Sequence, residues 1–369
     1  MGNKEFGDRI NCTMPYIFIL IGLLLTLYWK NVILLSTLNL LFCGLSVIFV
    51  IGPLIYRSSY RIQRSTIFLN YISIPPSPHY ANPSKCGLRG ALNFYLTTDE
   101  NIKLGVWHIV PENLITESTD KDSNYYTALL ENGPDIIIYN HGNAGNRSAP
   151  HRLELYEVLR KNYQIIAFDY RGNLGYGDSS NVEPSEMGAV RDSMYVYTWV
   201  RGLSKRKVYI WGHSLGTSIS THMLSLLPDD MTPDGLILES PFNNMRDEIG
   251  KHPFATLFRS LPWFNYAIID PVYNNNLKFE TDQYIRKVNC PIMILHAKDD
   301  IIVPYNLGLQ LYEGAQQSRR PTQGPLRFHS FERSCGYGHK YICRAPDLNA
   351  LLNNFTDHCN EIKSGSSAS

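Results

Sequence analysis

The stretch Lys207-Val208-Tyr209-Ile210-Trp211-Gly212-His213-Ser214-Leu215-Gly216 decides the fold. A short apolar run suited to a buried strand leads into a serine set between glycines, and a helical pattern follows to about Leu227. This is the G-x-S-x-G nucleophile elbow, in which a sharp strand-to-helix turn holds a serine exposed at the top of a sheet. Glycines on either side let the chain pass close to its neighbours. A serine hydroxyl is a weak nucleophile at neutral pH. The rest of the chain must therefore supply a base, an acid to orient it, and hydrogen-bond donors for an oxyanion.

Working outward, strands and helices alternate on both sides of the elbow. Strands are expected at 91–96 and 102–110, paired as a hairpin across Thr98-Asp99-Glu100-Asn101, and at 135–139, 164–169, 208–211, 235–239, 291–297 and 326–331. Helices are expected at 151–161, 185–201 and 215–227, and residues 112–133 read as a polar loop. Such alternation builds a mostly parallel sheet with helices on both faces, the α/β-hydrolase layout, with catalytic groups at the strands' carboxyl ends.

The acid is expected at the end of the strand before Lys298-Asp299-Asp300-Ile301-Ile302-Val303-Pro304. The D-x-x-V-P spacing favours Asp300; Asp299 fits a helix cap better, and Glu239 at the end of the preceding strand is an alternative. For the base, Gly336-Tyr337-Gly338-His339-Lys340-Tyr341 is a glycine-flanked loop after the last strand, so His339 is the choice. His329 lies within a strand, His358 in the final helix, and His213 inside the elbow as a packing residue. The chain order Ser214, Asp300, His339 is the one this fold requires. Oxyanion donors are expected from the N–H of Leu215 and from the loop Asn140-His141-Gly142-Asn143-Ala144-Gly145, through Asn143 or else Ala144, with His141 bracing that loop.

The net charge of +1 and the lack of a basic stripe argue against nucleic acid. The seven cysteines show no metal-binding spacing or disulfide framework, with Cys335 and Cys343 read as free thiols, and no motif calls for a metal or a cofactor. From Tyr16 to Ile55 the chain is apolar, interrupted only at Lys30-Asn31. The second half is long enough to cross a bilayer, while Tyr16 to Trp29 is short for a span. The expected organisation is an anchor over 1–56, a linker over 57–90 with a stiff Ile74-Pro75-Pro76-Ser77-Pro78 joint, a catalytic domain over 91–362 and a disordered tail over 363–369. Arg57, Arg61 and Arg64 favour a cytosolic body by the positive-inside rule, whereas the glycosylation acceptors Asn146 and Asn354 favour a luminal one.

An insertion over about 241–288 breaks the alternation and carries Phe254, Phe258, Trp263, Phe264 and Tyr266. Its aromatics read either as a cover for the sheet or as a lid over an acyl-chain channel, and the neighbouring anchor favours a lipid ester as substrate. Arg246, Lys251 and Arg259 read as a solvated face, with a phosphate head group as the alternative partner. An acyl-protein or acyl-CoA thioesterase, or a peptidase, is the alternative on the same fold.

The motifs Gly212-His213-Ser214-Leu215-Gly216-Thr217, Leu238-Glu239-Ser240-Pro241-Phe242, His252-Pro253-Phe254, Leu295-His296-Ala297, Gly338-His339-Lys340-Tyr341-Ile342 and Gly105-Val106-Trp107-His108 resemble those of a known family. That family is the lysophosphatidylserine and monoacylglycerol lipases called α/β-hydrolase domain-containing protein twelve, and the resemblance runs from about Phe68 to the end. It implies a serine hydrolase of the endoplasmic reticulum membrane with a luminal catalytic domain, and it places Ser214, Asp300 and His339 on the family's triad. The chain departs from the pattern twice. Its apolar region is divided where the family shows one span after a longer polar tail, leaving one span or a hairpin open. The loop Asn173-Leu174-Gly175-Tyr176-Gly177-Asp178 is longer than the family's usual form, which bears on substrate preference.

Overall fold

The computed structural model describes residues 14–73, 75–76, 78–172 and 176–366. The Pro-rich joint at 74–78 and the glycine loop at 172–178 therefore lie partly outside the described residues, as does the end of the expected disordered tail at 367–369. The chain divides into two compact units, one of residues 67–248 with 278–369 and one of residues 1–66 with 249–277.

The larger unit is built on one eight-stranded sheet of order β1-β2-β4-β3-β5-β6-β7-β8. Its strands are β1 (Ala91–Thr97), β2 (Lys103–Ile109), β3 (Ile136–Asn140), β4 (Gln164–Phe168), β5 (Val208–His213), β6 (Gly235–Glu239), β7 (Ile292–Ala297) and β8 (Leu326–Phe331). The β1–β2 hairpin and the β2–β4 pair are antiparallel, and all other pairs are parallel. Residues Ile136–Asn140 and Gln164–Phe168 are buried at every position, because helices cover both faces of the parallel part and leave no polar side for alternation. On one face Trp107, Tyr209, Trp211, Met293, Leu295, Phe331 and Phe355 pack into a single apolar cluster.

This arrangement sets β5 between β3 and β6, with Gly212 in register with Asn140 on one side and with Leu238 on the other. The nucleophile strand thus has the oxyanion loop beyond one neighbour and Glu239 on the other. The helix Leu215–Leu226 follows β5 at very close range. A Cβ on Gly216 would fall 2.1 Å from the Asn140 carbonyl oxygen, so only glycine permits that approach.

Two expectations are corrected here. Residues 112–133 are not a loop: they hold a short 3-10 turn, Glu112–Leu114, and a helix, Ser123–Asn132. Asp122 caps that helix by accepting the Tyr125 N–H at 3.2 Å, and the helix buries only Tyr126 and Leu130. Two apolar anchors four residues apart are enough to dock a helix, but they are masked by polar neighbours in a composition reading. The last helix, Leu348–Ser366, also continues past residue 363, where the tail was expected to lose structure.

The smaller unit joins the N-terminal helices to the middle of the insertion. It contains the helix Met14–Trp29 and a 24-residue helical run, Leu35–Ser58, which passes through a π turn at Val47–Ile51. Residues 249–277 have a small core of their own, Ala255, Phe264 and Ile269. The insertion expected over 241–288 is therefore shared out, its two ends belonging to the sheet-based unit and its centre to the helical one.

Candidate active site

Ser214 sits at φ 53°, ψ −122°, a backbone region that side chains with a Cβ rarely adopt and that marks a strained site. A serine at the N-cap of a helix normally accepts a bond from the first turn, yet this hydroxyl makes no cap bond. The hydroxyl is therefore not spent on capping the helix. The backbone is held instead, since Ser214 N–H donates to Glu239 O at 2.9 Å and Thr217 N–H and Oγ1–H both bond to Ser214 O.

The structure brings His339 and Asp300 together, with His339 Nδ1 2.7 Å from Asp300 Oδ2. A carboxylate only accepts, so Nδ1 carries the proton of this bond. The other oxygen of Asp300 accepts the N–H groups of Ile302 and Val303, each at 2.9 Å. Burial raises the Asp300 pKa, but the charge of His339 and hydrogen bonds from His296 and His339 outweigh it and hold the group well below the carboxylate range. Asp299 does something different: it accepts the N–H of Gly338 at 2.9 Å and so braces the loop that carries His339. Glu239 accepts from Trp211 Nε1 at 2.9 Å, and burial pushes its pKa up to about 8, which keeps it a neutral acid.

His213 is buried, and its Nε2 lies 2.8 Å from the His339 carbonyl oxygen. The residue before Ser214 therefore latches the loop that carries His339. Burial lowers the His213 pKa to about 3, so the ring is neutral with its proton on Nε2, facing the carbonyl. His329 lies within β8, as expected.

On the oxyanion side, Gly142 is pressed against the elbow, for a Cβ there would fall 2.9 Å from Ser214 Cβ. Ala144 N–H, the alternative oxyanion donor, is engaged by Phe68 O at 3.1 Å. His141 is fully buried, its ring centre 4.4 Å from that of Tyr170, which fits a brace rather than a catalyst.

Two buried side chains at the site escaped sequence reasoning. The guanidinium of Arg152 donates to the carbonyl oxygens of Asn146 (2.6 Å), Ala144 (2.9 Å) and Gly142 (3.3 Å), stitching the oxyanion loop to the helix Pro150–Leu159. His296, in β7, places Nε2 3.0 Å from Val303 O and 3.5 Å from Asp300 Oδ2, beside the acid. An arginine in an otherwise ordinary helical turn was the only visible sign of the first, and a histidine four residues before the acid the sign of the second.

Other expected positions fall elsewhere. Asn146 is completely buried and its Oδ1 accepts from Ser148 N and Oγ, so the folded chain has no room for a glycan there. Asn354 is exposed on the last helix. Among the aromatics expected in a lid, Phe264 is core of the insertion, Phe258 and Trp263 are half-buried with ring centres 6.1 Å apart, and Phe254 is 85% exposed. Cys335 and Cys343 are not joined in a disulfide.

Residues 135–280 match the family described as alpha/beta hydrolase fold. The lysophosphatidylserine lipase ABHD12 of Macaca fascicularis is 40% identical over 320 residues, spanning 86% of this chain and 79% of that protein. That of Danio rerio is 39% identical over 311 residues, spanning 84% and 80%. This chain belongs to the ABHD12 family. As a member it is an ester hydrolase of the α/β-hydrolase fold. Human protein ABHD12B is 32% identical over 292 residues, 78% of each chain. Among solved structures the esterase Pf2001 of Pyrococcus furiosus is similar with a TM-score of 0.52 at 18% identity, over 75% of this chain and 92% of that one, a likeness of fold.

Proposed function

We propose that this chain is a membrane-anchored serine hydrolase that removes the acyl chain of lysophosphatidylserine and of monoacylglycerols. The observation that carries the reading is the strained elbow at Ser214 together with the His339–Asp300 bond of 2.7 Å, in a chain 40% identical to a lysophosphatidylserine lipase. Ser214 Oγ attacks the ester carbonyl carbon while His339 Nε2 takes the hydroxyl proton and Asp300 holds the ring's tautomer. The oxyanion accepts from the N–H groups of Leu215 and Asn143, which need not reorganise as charge develops. The carbonyl-to-glycerol C–O bond breaks, the leaving oxygen takes the proton from His339, and water activated by the same ring releases the fatty acid and restores Ser214.

The helical run Leu35–Ser58 supports anchoring: 24 residues make about 36 Å, enough for a hydrocarbon core of about 30 Å. The family resemblance and the exposed acceptor at Asn354 support a place in the endoplasmic reticulum with the body in the lumen. A panel of lysophosphatidylserine, monoacylglycerol, acyl-thioester and peptide, offered to the wild-type chain and to Ser214→Ala, tests the chemistry. Turnover of the thioester alone overturns the lipid-ester reading. A glycosidase-induced mobility shift that disappears in Asn354→Gln tests the orientation, and a wild-type chain without a shift in cells leaves the luminal reading unsupported.

A further inference from the structure

The central part of the insertion, residues 249–277, lies in the same compact unit as the apolar N-terminal helices. Three sets of contacts fix it along their length. Asn275 Nδ2 donates to Tyr60 O at 3.0 Å and to Gln63 Oε1 at 3.1 Å, and Arg64 Nε donates to Asn275 Oδ1 at 3.1 Å. Nearer the apolar run, the Arg57 guanidinium lies 3.7 Å from the centre of the Tyr266 ring and also bonds the Tyr266 carbonyl. Nearer still to the middle of that run, the ring of Phe258 sits 5.7 Å from that of Phe49.

Arg57 is the first charged residue after Lys30. At 1.5 Å per residue, Phe49 lies about 12 Å from Arg57 along the helix, inside the uncharged stretch. Phe258 thus rests against the uncharged stretch, and the 3-10 turn Pro253–Leu257 comes immediately before it. In that turn Phe254 is 85% exposed and Leu257 53% exposed, although the insertion already has a core in Ala255, Phe264 and Ile269. These two side chains are surplus to internal packing, and both lie within four residues of Phe258, whose ring meets Phe49. Tyr266, 55% exposed beside Arg57, occupies the position of an interfacial aromatic, where an apolar ring meets a charged head-group layer.

We infer that the turn Pro253–Leu257 is a bilayer-docking element, seated among acyl chains in one leaflet alongside the span, with Arg57 and Tyr266 at the head-group level. The occupant of this surface is lipid rather than protein, because the surface is continuous with the side of a helix that a bilayer already covers. The inference rests on the proposed anchor and deepens it: the enzyme would hold its leaflet by a second, non-spanning contact, next to the pool of single-chain lipid esters.

The test uses the full chain in phosphatidylcholine vesicles, with its exposed native cysteines replaced by serine and a nitroxide placed at one position at a time. Phe254→Cys and Leu257→Cys report on the turn, Leu40→Cys on the span, and Lys205→Cys on a water-exposed loop of the body. Relaxation by oxygen and by a water-soluble nickel chelate is then compared. The expected result is that positions 254 and 257 shift from the aqueous value at 205 to the lipid value at 40. Aqueous values at both 254 and 257 with a lipid value at 40 overturn the inference while sparing the anchor. An aqueous value at 40 as well overturns both.

Discussion

The two units solve opposite problems with water. The sheet-based unit buries what is polar: Arg147, Arg152, Asp169, Asp192, Glu239, His296 and Asp300 are all under 9% exposed, and each has partners or a shifted pKa to account for it. The helical unit exposes what is apolar, with Phe18, Leu40, Ile48, Phe254 and Leu257 more than half or nearly half uncovered. Buried polar groups are costly unless paired, and exposed apolar ones are costly only in water. The first unit therefore carries tools fixed in place for chemistry. The second has a surface that makes sense in a lipid solvent.

Substitutions in the polar interior test this contrast, beginning with the largest effect. Ser214→Ala should lower kcat by about 10⁴-fold or more, leaving only the contribution of binding and oxyanion donors. A smaller loss, measured with a water-soluble ester, would mean that the strained elbow is not the reacting centre. Asp300→Asn should cost about 10⁴-fold, because the amide can donate and so stabilises the wrong tautomer of His339. Since Asp300 stays ionised far into the acid range, the acidic limb of the wild-type pH–rate profile should belong to another group.

Arg152→Met removes the three bonds to the oxyanion loop while keeping much of the side chain's bulk. The expected outcome is a fall in kcat of about 10²-fold with a smaller change in KM, the pattern of donors displaced from the transition state. An equal loss of thermal stability and of kcat/KM, recovered at low temperature, would instead make the arginine purely structural.

Glu239→Gln should change turnover the least and act instead on stability against pH. The folded chain holds the Glu239 proton up to about pH 8, whereas the unfolded chain releases it near 4.5. Between those values only the folded state binds that proton, so stability falls as pH rises, by at most about 1.4 kcal/mol per pH unit. The glutamine should flatten that slope in thermal midpoints measured from pH 5 to 8. An unchanged slope would place the lost proton elsewhere.

Much of the catalytic unit could be read along the chain because its signals are local or ordered. Apolar runs such as Ile136-Ile137-Ile138 announce strands covered on both faces, and G-H-S-L-G announces the elbow by sequence alone. Asp300 and His339 are the expected acid and base by their order and their glycine or proline neighbours, and their side chains meet at 2.7 Å. What escaped depends on distant packing. Arg152 matters because three carbonyls of a preceding loop turn towards it, and Asn146 is no glycan acceptor because tertiary packing buries a triplet that looks available. The helix Ser123–Asn132 rests on two buried residues and a cap, too faint a periodicity to stand out. The sharing of the insertion between units rests on contacts across some two hundred positions, such as Asn275 with Gln63, which no window along the chain could contain.

The closeness of Gly142 to the elbow limits how such an enzyme can be altered. With 2.9 Å between an added Cβ and Ser214 Cβ, even a methyl group there would push the nucleophile off its mark. Inhibitor selectivity and redesigned acyl preference must therefore come from walls farther out. Any variant library that randomises position 142 should return glycine.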